Sequence, residues 1–185
     1  MERSTLQRVA RRIRVPLGFV FAVVFLWVAR PSWTSVGLSL LIVAPGVWLR
    51  GYAAGYVKKN QELTRTGPYA YTRNPLYLGS MLIALGFSVA SRSWVVLAVL
   101  VVLFAVIYWP TILSEEAFLR NEFVGFDSYV KAVPRLLPRF GRVRSGPSAM
   151  FNIQQYLHHR EYNAGMGSLA IYAALVSRLW MLRHQ

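Results

Sequence analysis

The sequence predicts an all-α, polytopic membrane protein with four to five transmembrane helices. Three observations carry that prediction. Apolar residues make up 55% of the 185-residue chain and charged residues only 15%, well below the charged share of a typical soluble domain. Four apolar runs, 15–29, 33–49, 76–90 and 94–113, contain no charged residue. The basic residues fall between those runs and not along one polar face. The length suits a single membrane domain spanning 1–185.

A membrane-crossing helix needs about 20 mainly apolar residues. Run 94–113 meets this directly. Runs 15–29 and 76–90 are short, so they need flanking residues or support from neighbours. Run 15–29 has a basic flank, but no small-residue cleavage site follows and more apolar runs come after it, which argues against a signal peptide. Gly37, Pro45, Gly79 and Gly86 would weaken helices in water. In membranes they are tolerated, and small residues let helices approach closely.

The connections 30–32 and 91–93 are short enough to make antiparallel hairpins. Segments 1–14, 50–75 and 114–167 therefore share one side. They carry five, five and seven of the 21 Lys/Arg and all seven acidic residues. By the positive-inside rule that side is cytoplasmic, and so is the N-terminus. In the tail, Met150, Ile153 and Leu157 share one helical face, as in a helix lying in the interface. Segment 168–182 reads as a fifth span with Arg178 snorkelling to the far surface, or as a helix packed on a partner or on the membrane surface.

The formal net charge is +14. Its placement between apolar runs points to membrane lipids as partners and not to nucleic acid. The absence of cysteine excludes disulfides, thiolate metal sites and a cysteine nucleophile. His158 and His159 lack the spacing of a metal site. No Walker loop, nucleophile elbow or HExxH is present.

Two cytoplasmic segments concentrate the remaining chemistry. The first is GPYAYTRNPLYLG, residues 67–79. Pro68 and Pro75 bias Gly67 and Asn74 away from helical geometry. Pro75 can then take the first turn of the next helix, where a missing N–H costs nothing. Backbone donors at that N-terminus can face a carboxylate or phosphate. The second is EEAFLRNEFVGFDSYVKAVPRLLPRF, residues 115–140. Glu115 and Glu116 sit where run 94–113 leaves the apolar layer, and acids there need a cationic partner. Pro110, one turn earlier, can bend the helix end. Ordinary readings exist for each residue alone. Arg73 can anchor lipid phosphates. Tyr69, Tyr71 and Tyr77 can be interfacial belt residues, and the glutamates can pair with Arg120.

Together, TGPYAYTRNPLYLG (66–79), an apolar helical hairpin and EEAFLRNEFVGFDSYVKAVPRLLP (115–138) resemble the integral-membrane methyltransferase superfamily. That group includes isoprenylcysteine carboxyl methyltransferase and the phospholipid methyltransferases. The resemblance covers about residues 50–140 and leaves out the first helix and the tail 141–185. It implies S-adenosylmethionine bound at the cytoplasmic membrane boundary. The implied cofactor contacts are Tyr69, Arg73, Asn74, Tyr77, Leu78, Glu115 and Glu116. Arg135 and Glu116 carry over as catalytic residues, and Arg135, Arg139 and Tyr129 as substrate contacts.

The cofactor carries an ammonium, a carboxylate and a sulfonium. A glutamate can accept from the ammonium, and Arg73 or helix N-terminal amides can meet the carboxylate. An aromatic ring of Tyr69 or Tyr77 can face the sulfonium. The implied partner is a lipophilic or lipidated acceptor, either a carboxylate of the isoprenylcysteine kind or a lipid. A phospholipid amine is the alternative. Isoprenylcysteine methyltransferases typically have histidine where this chain has Asn74, which leaves the acceptor open. Two other classes compete: a sterol-reductase-like NADPH enzyme, and a non-enzymatic membrane protein binding anionic lipid.

Overall fold

The structure, a computed structural model, describes residues 24–58, 62–141 and 150–183. Every regular element among them is helical. Most of run 15–29 lies outside the described residues. What is described is a helical turn at 24–28.

Helix α1 spans Trp33–Ala54. Ser32 starts it with a capping box, its hydroxyl accepting from Ser35 N while Ser35 Oγ accepts from Ser32 N, which satisfies two otherwise orphaned donors. Helix α2 spans Pro75–Ser91, with Pro75 in the first turn as expected. It stops at Arg92, whose left-handed backbone (φ 52°) forms the C-cap, and Ser93 caps the next helix through Val96 N. The two hairpin connections are joined at the far side, where Arg30 N donates to Ser91 O at 2.9 Å.

Helix α3 is continuous over Trp94–Glu122. Phe104–Tyr108 within it is a π-helical segment. Pro110 explains its position: it lacks the N–H that would bond the carbonyl four residues back, at Val106, so the ladder re-registers there. Glu115 and Glu116 follow closely on the apolar run 94–113 but are not at the helix end. The helix runs on beyond them to Glu122, so these acids do not sit at its dipole's negative end. Helix α4 is Phe126–Ala132, α5 is Ile153–His158 and α6 is Tyr162–Arg183.

Among the described residues, α1, α3 and the Tyr162–Met181 part of α6 are long and apolar enough to cross a membrane, and α2 is a shorter apolar helix. The tail expectations take a definite form. The surface helix is a short one, capped by Asn152 Oδ1 accepting from Gln154 N and Gln155 N. The last helix begins at Tyr162, earlier than residue 168. Arg178 bonds the carbonyls of Leu26 and Trp27, so it caps the 24–28 turn, where a cation complements the helix dipole.

One core holds the spans together. Phe25, Val43, Phe87, Val96 and Leu175 are buried against each other, drawing on five separate chain segments. At the α1–α2 crossing the backbones nearly touch. A Cβ added to Gly79 would lie 2.8 Å from Gly46 O, so only glycine fits there. A second, smaller core of Phe126, Tyr129 and Val133, flanked by Leu63 and Leu119, forms on the side of the two motif segments.

Candidate functional site

The loop before α2 is sewn to the segment after α4. Arg73 N donates to Pro134 O at 2.9 Å, and Arg139 N to Tyr71 O at 3.1 Å. Thr72 Oγ1 donates to Leu136 O at 2.8 Å. The Tyr129 hydroxyl donates to Tyr69 O at 2.7 Å. The loop itself is a 3-10 turn, Gly67–Ala70, in which Gly67 takes φ 59°. Its pairing explains why so polar a stretch can be buried: its backbone groups find partners within the protein.

Glu116 lies at the centre of this junction. Its Oε1 is 3.1 Å from Arg73 Nη2, and its Oε2 is 2.9 Å from Arg135 Nη2 and 3.0 Å from Arg135 Nε. Asn74 Nδ2 donates to the same Oε1 at 3.3 Å and to Arg135 O at 2.9 Å. The side chains of Glu116, Arg73 and Arg135 are 12%, 7% and 35% exposed. A carboxylate between two guanidiniums is well compensated despite this burial. Burial pushes the Arg73 guanidinium below its usual value, opposed by the neighbouring Glu116 charge; it remains a cation. Arg135 also stacks over the Trp109 ring at 5.4 Å.

Glu115 points elsewhere. It is exposed, and Tyr77 donates its hydroxyl to Glu115 Oε1 at 3.0 Å. Tyr77 meets Tyr108 edge-on, with ring centroids 5.8 Å apart. Arg120 pairs with Asp127 at 2.9 Å and not with the glutamates.

Tyr69 is buried, and both burial and the nearby Tyr129 hold its phenol well above the usual range. Tyr129 is raised likewise, chiefly by burial. Leu78 occupies the first turn of α2, half-buried, with its N–H on Asn74 O. Arg139 is exposed and donates to Ala132 O at 2.7 Å. The structure thus brings Arg73, Asn74, Glu116 and Arg135 into direct contact. Tyr77 and Glu115 form a second pair next to them in sequence, and Tyr69 and Tyr129 form a third contact.

Two features escaped sequence reasoning. Arg50 bonds Glu161 through Nε and Nη2 at 2.9 and 2.7 Å, and also reaches Ser80 and Leu76 O. Its one sequence signal is an arginine directly at the end of an apolar run. Tyr108 lies inside the apolar run 94–113, where no sequence signal singles it out.

The chain can be placed among known proteins. The family model for phospholipid methyltransferase matches residues 36–124. That segment, just under half of the chain, is similar to the integral-membrane methyltransferase group. Two curated relatives are similar. The nickel-cobalt-cadmium resistance protein NccN of Alcaligenes xylosoxydans xylosoxydans is 29% identical over 131 residues, 70% of this chain and 61% of that protein. The cobalt-zinc-cadmium resistance protein CzcN of Cupriavidus metallidurans is 36% identical over 109 residues, 59% of this chain and 49% of that protein. The chain therefore spans about half to three-fifths of the length of these relatives. No solved structure matches.

Proposed function

We propose that this chain is a membrane methyltransferase that moves a methyl group from S-adenosylmethionine to a lipophilic acceptor at the cytoplasmic boundary. One observation carries this reading. The loop before α2 and the segment 115–139 close on Glu116, and these are the two stretches that resemble the methyltransferase superfamily.

The donor set suits the cofactor. Arg73 Nε is buried with no hydrogen-bond partner among the described residues, an orphan donor that a carboxylate would satisfy. Glu115, exposed beside Tyr77, can accept from an ammonium. The Tyr77 and Tyr108 rings offer faces to a cationic sulfur. When bound, S-adenosylmethionine supplies an electrophilic methyl group on a sulfonium.

The chain's own residues then align and exclude water. Glu116 is already shared by two arginines, so its part is to fix Arg73, Asn74 and Arg135. Arg135, the more exposed of the two cations, can orient an acceptor oxygen with its planar fork. A carboxylate acceptor needs no base. An amine acceptor must first give up a proton, and Glu115 is the exposed carboxylate beside the site. The names of the two relatives add a setting to this reading, resistance to metals.

Calorimetry with S-adenosylhomocysteine on purified, folded protein tests this reading. Binding that weakens in Glu115→Gln and Tyr77→Phe supports it; no binding by the wild type removes it. NADPH binding in place of S-adenosylhomocysteine would favour the reductase class.

A further inference from the structure

One side chain of α1 grips the first turn of α2. Arg50 Nη1 donates to Leu76 O at 3.3 Å and to the Ser80 hydroxyl. The Arg50 stem lies against Gly79, where an added Cβ would fall 2.6 Å from Arg50 Cγ. Leu76 O belongs to the peptide that joins Leu76 to Tyr77. The gripped turn also follows directly on Asn74, the N-cap of α2. It thus meets Arg50 at Leu76, Gly79 and Ser80, and meets Glu115 and Glu116 through Tyr77 and Asn74.

The tail holds the other edge of Arg50. Its Nε and Nη2 both donate to Glu161 Oε2, at 2.9 and 2.7 Å. Glu161 sits in the turn between α5 and α6. That turn is set by Arg160, whose backbone is left-handed (φ 52°), and by Ala164 N donating to Glu161 O at 3.0 Å. The two side chains are 23% and 14% exposed, and so little exposure leaves the pair weakly screened. Glu161 compensates the guanidinium's charge, so what Arg50 offers α2 is geometry. A guanidinium is a rigid plane. Fixing one edge on Glu161 fixes the opposite N–H groups on Leu76 O and Ser80. Glu161 lies outside the stretch 36–124 that matches the family model and outside both motif segments.

We propose that Glu161 and Arg50 are positioning residues: through this clamp the tail sets the first turn of α2, and with it Tyr77 and Asn74. That this turn faces the methyl donor rests on the function proposed above. The link from tail to turn rests on the clamp alone.

The experiment uses the full chain in lipid nanodiscs, with 3-fluorotyrosine placed at position 77 and read by fluorine NMR. S-adenosylhomocysteine binding and melting are measured on the same samples. Glu161→Gln removes the counter-charge. Arg50→Lys keeps the ion pair, and so the fold, but replaces the fork by a point charge on a flexible stem. Leu175→Ala is the control for general loosening of the tail. Leu175 is fully buried in the core between the spans, roughly 20 Å along α6 from Glu161.

The position-77 resonance is expected to shift in Glu161→Gln and Arg50→Lys and to stay in place in Leu175→Ala. Affinity for S-adenosylhomocysteine should fall about tenfold in both clamp variants, with Arg50→Lys melting close to wild type. In Leu175→Ala melting should fall and affinity should hold. An unmoved resonance in both clamp variants would overturn the positioning role. So would a Leu175→Ala variant that reproduces their shift and their loss of affinity, because the effect would then be loosening of the tail alone. A shifted resonance with undiminished affinity would overturn the clamp's service to the cofactor site. A wild type that binds no S-adenosylhomocysteine, while the resonance still follows the clamp, sinks the methyl-transfer reading alone.

Discussion

At the scale of single residues, Glu116 and Glu115 are adjacent in sequence and opposite in circumstance. Glu116 compensates two guanidiniums, of which Arg73 is only 7% exposed. Glu116→Gln leaves that cation with no counter-charge. Removing one partner of a buried pair costs about 3–5 kcal/mol, so the variant is expected to melt several degrees lower in detergent and to lose S-adenosylhomocysteine binding. Glu115→Gln removes the exposed negative charge beside Tyr77 while keeping an amide oxygen that can accept from its hydroxyl. It should leave the melting temperature nearly unchanged, as exposed pairs contribute about 0–1 kcal/mol, while weakening the same binding. If the two variants lose stability equally, the division of labour is wrong. Tyr129 gives a pH-dependent counterpart. Burial raises its phenol above the unfolded value of 10.0. The folded state therefore holds its proton longer than the unfolded state. Stability is fully present below pH 10 and falls as pH rises beyond it. Tyr129→Phe should flatten that alkaline decline in melts taken between pH 9 and 11, and should lower stability at neutral pH by the lost bond to Tyr69 O, about 0.5–1.5 kcal/mol.

At the scale of elements, the α1–α2 crossing depends on two glycines that meet backbone to backbone. A Cβ on Gly79 would also fall 2.6 Å from Arg50 Cγ. Gly79→Val is expected to separate the helices and destabilise the protein by about 1–3 kcal/mol or more, read as early unfolding on heating, whereas Gly37→Val should be silent. Gly79 was legible as a small residue suited to a membrane helix. That Gly46 faces Gly79 was not, because the sequence holds no register between helices. Pro110 was legible as a perturbation, and it acts through the π segment at Phe104–Tyr108. The continuation of α3 to Glu122 was not legible: the apolar run ends at 113, yet helical hydrogen bonding persists where hydropathy stops. The Arg50–Glu161 clamp joins residues 111 apart. No local pattern encodes such a pairing; it exists only once the tail folds back on α1.

At the scale of the whole molecule, the candidate site is made by folding two distant stretches onto each other across the α2–α3 hairpin. Their likeness to a methyltransferase family made that junction legible in advance, down to Arg73, Asn74, Glu116 and Arg135. The tail's place was legible only as an alternative between a span and a surface helix. Its packing on α1 rests on tertiary contacts such as the Ser39–Tyr172 hydroxyl pair at 2.8 Å. A cytoplasmic side is proposed for the site on charge: segments 1–14, 50–75 and 114–167 together carry 17 of the 21 Lys/Arg. The chain has no cysteine, so a single introduced thiol reports its own position. Val124 is fully exposed beside the site, and Arg30 is exposed at the opposite hairpin. In right-side-out spheroplasts, a membrane-impermeant maleimide is expected to label Arg30→Cys and to spare Val124→Cys until the membrane is permeabilised. The reverse pattern would put the site outside, where the cytoplasmic methyl donor is absent, and would end the proposed reaction along with the topology.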